Sequence, residues 1–439
     1  MSWVPYLIFF TFIAVFLVLP QWLKMRRDSA KAQATLDKAI AAGRQEPVSI
    51  RPLVDPAKCV GTAACVAACP EKEVLQVVDG LAMIANGSSC VGHGACEASC
   101  PLDAIELVFG SERRGIDIPA IGPDFQTNIN GLYVAGELGG IGLIANTVSQ
   151  GVQAAANMCA KLPQRAAEAY DIAIVGAGPA GLGAALEAKR QGVRYLLLEQ
   201  GEFGGAIRHY PRQKLVMTRP MDLPGYGRVQ MSTARKEELV ELFEKVVAET
   251  GLEVCTHERV DKVDKQGDHF VVTTNKRVVH ATRVVLTVGR RGTPRKLGVP
   301  GEDQEKVAYR LLDPELYDHQ QILVVGGGDS AVEAACCLAE QPGNRVTLSY
   351  RKASFSRPKA ANQERLRKAE EDGVLQVMRS SNVKKIGLDR VVMAHEGEEQ
   401  ILPNDYVFVF AGGVLPTRFL QQAGIKIQTH YGKRVVEQD

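Results

Sequence analysis

Six cysteines fall in two short runs, CVGTAACVAACP at 59–70 and CVGHGACEASCP at 90–101, the second repeating the first 31 residues on. Cys, Val, Gly, Ala, Cys, Ala, Cys and Pro recur in matching places. Thiolates are soft, anionic donors, and closely spaced sets of them suit iron with sulfide better than they suit hard cations. The chain has ten cysteines in 439 residues, which fits metal ligation in a reducing compartment; a secreted disulfide framework favours much shorter chains. Three residues after the first cysteine of each run stands Thr62 in one copy and His93 in the other. A hydroxyl is a poor iron ligand beside thiolates, whereas a neutral imidazole is a reasonable one.

A second chemistry is written in glycines. The stretch DIAIVGAGPAGLGAALEAKRQGVRYLLLEQ, 171–200, has an apolar strand, then G-x-G-x-x-G at Gly176, Gly178 and Gly181 with Pro179 and Ala180 between. An Ala-rich helix and a second strand ending at Glu199 follow. Glycine permits the tight turn and lets a pyrophosphate approach the helix N-terminus, and the acid can take a ribose hydroxyl. The stretch QQILVVGGGDSAVEAACCLAEQPGNRVTLSYRK repeats the design with Gly326, Gly328 and Ala331, and with Asp329 and Ser330 opening the helix. Its second strand ends at Tyr350, Arg351 and Lys352, with Arg357 close behind and no acid. Such a set suits the 2′-phosphate of NADPH better than the free ribose of NADH, which stays open. Two such units imply two dinucleotides. Adjacent Cys336 and Cys337 fall within the helix, where a vicinal disulfide would be strained, and are expected to be small core residues. Between the units TVGRRGTPRKLGVPGED reads as a crossover, and VFVFAGG at 407–413 as the return.

The cysteine runs resemble those of dicluster bacterial ferredoxins, C-x2-C-x2-C-x3-C-P, in which the last cysteine of each run ligates the other cluster. CPLDAIEL after the second run adds to the likeness. The resemblance implies one cluster on Cys59, Cys65 and Cys100 and another on Cys90, Cys96 and Cys69. With Thr62 in the ligand slot the first would hold three irons, or four with a labile corner; His93 would complete a four-iron cluster at the second.

Residues from about 112 to 439 resemble two-dinucleotide flavoproteins of the thioredoxin reductase type, which implies FAD in the first unit and NAD(P)H in the second. YRLLDPELYDHQQILVVGGGDSAVEAA and SYRKASFSRPKAANQERL look closest to the bacillithiol disulfide reductase branch. Two departures stand out: LLDPELYDHQQ lacks the redox CxxC of thioredoxin reductases, and Ala180 stands where the disulfide reductase branch has a thiol in its glycine loop. The segment that closes the FAD fold in that family should follow the end of this chain, yet it stands at 127–158 as TNINGLYVAGELGGIGLIANTVSQGVQAAANM. A circular permutation is the expectation. Glu137, after Gly136, replaces the usual Asp that meets the flavin ribityl chain, and a helix from near Asn146, with Thr147 and Val148, would aim its amides at the flavin. Gly204 and Gly205 in EFGGAIRHYPRQKLVMTRP, with Val260 and Gly289, complete the flavin-side candidates, and His209 and Tyr210 are further ones.

Behind these residues the elements can be set out. The composition, 46% hydrophobic and 23% charged with 42 glycines, is that of a multidomain α/β chain, and a net charge of +2 gives no case for nucleic acid. The first 23 residues carry no charged side chain. From Trp3 to Trp22 a helix would span roughly 28 Å at ~1.5 Å per residue, one bilayer core with aromatic anchors. Lys24, Arg26 and Arg27 follow, placing the remainder on the cytoplasmic side of an inner membrane crossed once. Residues 28–45 read as an amphipathic spacer helix starting at Asp28 or Ser29.

The expected architecture is an α/β chain with two Rossmann-like domains, a transmembrane helix and a small α+β dicluster ferredoxin-like domain. Its boundaries are 1–27 anchor, 28–50 spacer, 51–110 iron–sulfur domain, 111–165 closing segment, 166–293 FAD domain, 294–413 NAD(P)H domain and 414–439 return. The expected function is a membrane-anchored NAD(P)H-dependent iron–sulfur flavoprotein oxidoreductase. Electrons would pass from NADPH to FAD to the clusters and on to a membrane or protein acceptor, a quinone included. Hydride transfer to flavin needs positioning and exclusion of water, with no acid–base residue. Alternatives are a reductase of low-molecular-weight disulfides or of ferredoxin, and a redox-sensing subunit; a homodimer that swaps the closing segment stays open.

Overall fold

The computed structural model describes residues 3–41, 45, 50–71, 74–112, 115–140, 142–162, 169–210, 212–290, 293–414 and 416–432. It forms two compact units, one of residues up to 115 with Tyr431 and Gly432, the other of residues 116–430. The boundary expected at 110/111 thus falls at 115/116, because strand Ile116–Pro119 already pairs antiparallel with Ile427–His430. The C-terminal return ends there too: the Gly432 N–H donates to the Phe109 carbonyl of the first unit.

In the first unit the apolar run is helical, as α1 (Val4–Ile13), a π-helical turn (Ala14–Val18) and α2 (Leu19–Ala41). Pro20 accounts for the turn, since its ring would collide with the carbonyl four residues back and the backbone widens just ahead of it. Phe9, Phe10, Phe12, Phe16 and Trp22 are exposed, and the helix from Phe9 is long and apolar enough to cross a membrane. No helix begins at Asp28 or Ser29, contrary to the sequence expectation; α2 runs unbroken through both. Ser29 does not cap it. Its hydroxyl donates to the Asp79 carboxylate and accepts from the Asp79 N–H, both at 2.9 Å. Ala32 and Leu36 are buried with Val78 and Ala85, so this stretch is docked rather than a free spacer.

The partner of α2 is a hairpin, Leu75–Val78 with Leu81–Ile84, turned by Asp79 (φ 49°) and Gly80 (φ 82°). Two successive left-handed residues are what a type I′ turn needs. Strands Ile50–Val54 and Ile105–Phe109 form a second antiparallel ladder. Two short helices, α3 (Ala64–Ala68) and α4 (Ala95–Ala98), lie within the cysteine runs. Cys65, Val74, Leu75, Ala82, Cys96 and Ile105 are the buried core between them.

The second unit contains two parallel-centred sheets. In the first the order is Val260–Gln266, His269–Thr274, Val278–Leu286, Tyr170–Val175, Tyr195–Leu198, the last three parallel. Leu132–Val134 joins it, with Leu132, Tyr133 and Val134 opposite Val284, Val285 and Leu286. A strand that precedes the glycine loop in sequence therefore lies in that loop's own sheet. The helix that follows it, α5 (Ile144–Ala160), starts two residues before Asn146 and packs along α6 (Pro179–Arg190). Glycine sets their separation: a Cβ on Gly151 would stand 1.9 Å from the Ala180 carbonyl oxygen, and one on Gly183 2.4 Å from that of Val148.

α7 (Lys236–Thr250), whose Glu238 carboxylate accepts the Arg235 N–H at 2.7 Å, buries Leu239, Phe243 and Val246 against the same core. In the second sheet Val307–Ala308, Tyr406–Val409, Gln321–Val325, Arg345–Ser349 and Leu375–Met378 are all parallel. α8 (Asp329–Ala339) and α9 (Ala360–Glu371) share its core through Val332, Ala335 and Leu366. The chain enters and leaves this half side by side, Thr293–Pro294 pairing with Gly413–Val414.

Gly151→Val should destabilise the second unit by about 1–3 kcal/mol, the usual range for overpacking. Thermal melting and flavin content per chain check this; an unchanged melting temperature would mean that α5 and α6 separate freely.

Candidate functional site

Both cysteine runs turn the same way. Gly61 (φ 67°) and Gly92 (φ 70°) precede the variant residue, and Ala63 (φ 59°) and Gly94 (φ 83°) follow it as N-caps of α3 and α4. The result is two hollows. Cys59, Thr62, Cys65 and Cys100 line one, and Cys69, Cys90, His93 and Cys96 line the other. They hold about 330 and 340 Å³ of space, their open mouths included. The cysteine that ends each run thus lies with the other run. Among the described residues no three of His, Cys, Asp or Glu are placed to hold a single metal ion. Thiolates about one tetrahedral ion would stand ~4 Å apart; ringed about a hollow, they fit a larger group that brings its own sulfides.

The surroundings agree with that fit. The Ala82 N–H donates to Cys59 Sγ at 3.4 Å and the Ala104 N–H to Cys100 Sγ at 3.3 Å. The Cys69 thiol donates to the Glu71 carbonyl at 3.3 Å. Burial pushes the Cys65, Cys69 and Cys90 thiols up, and Cys96 up to about 12. Iron would reverse this, because a ligated thiol loses its proton outright. His93 Nδ1 is buried with no hydrogen-bond partner among the described residues. Such an orphan costs about 1–3 kcal/mol, which ligation would relieve. Thr62 is exposed, and its Oγ1 accepts the Ala64 N–H at 3.4 Å.

The first glycine loop is built as tightly as its sequence requires. Gly176 has φ 105°, and a Cβ on Gly181 would stand 1.9 Å from the Gly176 carbonyl oxygen. Gly178 caps α6, with Pro179 in its first turn. Buried Glu199 accepts the Ala177 N–H at 2.8 Å and the Gly201 N–H at 3.0 Å, so it also holds the loop itself. Gly204 donates its N–H to the Ala177 carbonyl at 3.0 Å, and a Cβ on Gly205 would lie 2.9 Å from Gly178 Cα.

The segment ahead of the loop in sequence faces it. A Cβ on Gly136 would be 2.8 Å from Ala180 Cβ and 3.7 Å from Thr147 Cβ, so Gly136 sits between the first turns of α6 and α5. Thr147 and Val148 are buried, the Thr147 hydroxyl donating to the Ile144 carbonyl at 2.8 Å. Two helix N-termini at one place favour anionic and carbonyl groups of a bound dinucleotide. Glu137 Oε2 would stand 4.0 Å from a Cβ on Gly289. Val260 begins an edge strand, two residues after Glu258, whose N–H donates to the Glu199 carbonyl at 2.8 Å.

Two side chains that the sequence did not single out belong with these. Arg290 donates from Nη2 to the Asp117 carbonyl at 3.1 Å, while its Nη1 is buried with no partner among the described residues. Burial lowers its pKa, opposed by the Glu137 and Asp117 charges. The buried Oδ1 of Asn146, in the first turn of α5, likewise has no partner. The orphaned donor and acceptor fit a cofactor with polar edges of its own. Their only trace in the sequence is position, Arg290 in the crossover and Asn146 at a helix start. His209 ends a short 3-10 turn, and burial with Arg310 and Lys236 nearby lowers its pKa. Tyr210 is covered by the Lys214 ammonium, 5.5 Å from its ring centre.

At the second loop a Cβ on Gly326 would lie 2.6 Å from the Phe410 carbonyl oxygen and 2.9 Å from the Ala331 methyl. Gly328 caps α8, where Ser330 is half-buried and Asp329 accepts the Lys359 N–H at 2.8 Å and Asn362 Nδ2 at 2.6 Å. Arg351, Lys352 and Arg357 are exposed just past the strand Arg345–Ser349 and form no ion pair among the described residues. Cys336 is buried in the core, its thiol pushed up to about 11, and Cys337 accepts from Arg365 at 3.5 Å; both are free thiols.

Known proteins share both halves of this arrangement. Residues 173–439 match the family model of pyridine nucleotide-disulphide oxidoreductases, and residues 51–101 that of the 4Fe-4S dicluster domain. A ferredoxin–NADP reductase from Ignicoccus hospitalis is 32% identical over 276 residues, covering 61% of this chain and 85% of its own. A bacilliredoxin reductase from Bacillus subtilis is 29% identical, covering 59% and 82%. The solved bacillithiol disulfide reductase of Staphylococcus aureus superposes with a TM-score of 0.54 at 29% identity, over 60% of this chain and 82% of that one.

Ala63 is the one non-glycine among the four left-handed positions of the cysteine loops. A side chain there costs about 1 kcal/mol or more, so Ala63→Gly should slow iron loss to a chelator, and Gly94→Ala should speed it. Equal rates in both variants would show that loop strain does not limit cluster retention.

Proposed function

The chain belongs to the pyridine nucleotide-disulphide oxidoreductase family and is an FAD-dependent NAD(P)H oxidoreductase with a 4Fe-4S dicluster domain; from that premise we propose that it is a membrane-anchored NADPH oxidoreductase serving an acceptor in or at the membrane. The observation that carries this is the sorting of six cysteines into two hollows, one of them also lined by a buried imidazole nitrogen with no partner among the described residues. Bound FAD would supply the change from hydride to single-electron chemistry, and iron–sulfur clusters held in the hollows would carry single electrons.

The chain's own residues divide the work. Arg351, Lys352 and Arg357 meet the 2′-phosphate at the second loop. Gly176, Gly178, Gly181, Gly136 and the first turns of α5 and α6 cradle the flavin nucleotide, with Glu199 at the ribose and Glu137 at the ribityl chain. Cys69, Cys90, Cys96 and His93 hold a four-iron cluster, and Cys59, Cys65 and Cys100 a three-iron or corner-labile one. An imidazole in place of a thiolate removes negative charge beside iron and raises the potential, which favours flow away from NADPH. The segment 127–158 acts as the displaced closing piece of a circularly permuted FAD domain. Lys24, Arg26 and Arg27 keep the catalytic units on the cytoplasmic side. Reduction of low-molecular-weight disulfides fits less well, since Ala180 and LLDPELYDHQQ supply no thiol.

Anaerobic EPR before and after NADPH tests the reading, together with the iron-to-flavin ratio. NADPH should reduce both centres through flavin, and His93→Ala should alter the signal of one alone. Clusters that stay oxidised while NADPH bleaches the flavin would overturn the proposal. Arg351→Ala with Arg357→Ala should raise KM for NADPH tenfold or more, at about 1.5–3 kcal/mol per charged hydrogen bond, and leave NADH unchanged. Equal effects on the two nucleotides would remove the 2′-phosphate assignment.

A further inference from the structure

The first unit sets one cysteine hollow at the end nearer the apolar helix. Ser29 lies seven residues beyond Trp22, about 10 Å along a helix rising ~1.5 Å per residue. At that level it holds Asp79 by two hydrogen bonds, at the turn of the hairpin. Farther from the apolar run, Ala32 and Leu36 pack with Val78 and Ala85. The hairpin therefore points its turn back toward the apolar helix. The first cysteine loop rests on that turn: a Cβ on Gly61 would be 2.3 Å from the Gly80 carbonyl oxygen, and Cys59 Sγ accepts the Ala82 N–H.

This end carries side chains suited to a bilayer surface. Val60 is 66% exposed and Leu81 38%, and Lys58 is exposed beside them. Lys24, Arg26 and Arg27 on α2 lie between the apolar run and the hairpin turn. Lys24, Arg26, Arg27 and Lys58 outnumber the carboxylates of Asp28 and of Asp79, the latter held by Ser29, and apolar side chains on a surface of net positive charge are what an interface with anionic headgroups accepts. The other hollow meets the hairpin at Leu75, the end away from the turn, and is lined besides by Val74, Pro52 and Leu107.

We propose that the loop 58–62 and Leu81 rest on the bilayer, so that the hollow of Cys59, Cys65 and Cys100 faces it and the acceptor is a lipid-soluble quinone. The proposal builds on the membrane-anchored reading above. Its balance closes: NADPH loses a hydride, which is two electrons and one proton, and water supplies a second proton. The quinone gains both electrons and both protons, forming two O–H bonds, and leaves as quinol with NADP+ as the other product.

The test uses the full chain in vesicles of phosphatidylethanolamine and phosphatidylglycerol loaded with menaquinone, without oxygen. Val60→Asp with Leu81→Asp should lower quinol formation about tenfold or more, because carboxylates there repel anionic lipid, while NADPH-dependent ferricyanide reduction stays within about twofold of the unaltered chain. A second readout does not depend on turnover. In vesicles containing a gadolinium-chelating lipid, the EPR signal of the Cys59-side centre should relax faster than the other, and the variant should lose the difference. Quinol formation unaffected by the double substitution, or equal relaxation of two NADPH-reduced centres, overturns the inference. Centres that NADPH does not reduce at all would instead fail the reading beneath it.

Discussion

The arrangement of the second unit depends on the close approach of α5 and α6. Side chains on facing helices normally hold the axes apart, and here Gly151 and Gly183 remove them at the points where each helix meets the other's carbonyls. The approach brings the first turn of α5 to that of α6, with Gly136 between them. It also buries Ala154, Met158, Leu182 and Ala185 in one core. Both the dinucleotide cradle and the packing of the sheet are thus consequences of one contact, supplied by a segment that precedes the glycine loop in the chain.

That order of segments has a structural consequence. The strand Leu132–Val134 continues the row where His269–Thr274 leaves off, because Val278–Leu286 pairs with the latter through Val278–Ala281 and with the former through Val284–Leu286. One long strand therefore serves two neighbours on the same edge. The sheet accepts the third piece without displacing any ladder hydrogen bond, so a segment from either end of a chain can fill the place.

The first unit solves a different problem, how to keep six thiols together between residues 59 and 100 with a small core. Its answer is repetition of backbone rather than of side chain. Gly61 and Gly92, Ala63 and Gly94 share left-handed dihedrals, while the residues between, Thr62 and His93, differ in everything chemical. The same loop therefore presents an exposed hydroxyl to one hollow and a buried imidazole nitrogen to the other. Two hollows on one scaffold thus have unequal surroundings, and centres held in them would differ in potential through unequal charge and solvent access.

Much of this was legible in the sequence. Glycine loops are readable because only glycine tolerates φ near 105° at Gly176 or a carbonyl 1.9 Å from a would-be Cβ at Gly181, so the residue type itself records the geometry. Cysteine spacing and a charge-free apolar run are readable for the same reason, each being a local pattern with a specific physical demand. What stayed hidden depends on partners distant in the chain. Ser29 looked like a helix start until Asp79, fifty residues on, claimed its hydroxyl. The boundary near 115 was set by the pairing of Ile116–Pro119 with a strand more than three hundred residues later. Arg290 and Asn146 have ordinary identities, and only one buried atom of each, Nη1 and Oδ1, without a partner among the described residues marks them. The sequence by itself determined which chemistries the chain contains, because thiolate and glycine patterns are local. Tertiary structure alone decided which thiols share a hollow, which helices meet and which polar atoms are buried with no partner among the described residues, because those are fixed by packing between segments that no local pattern records.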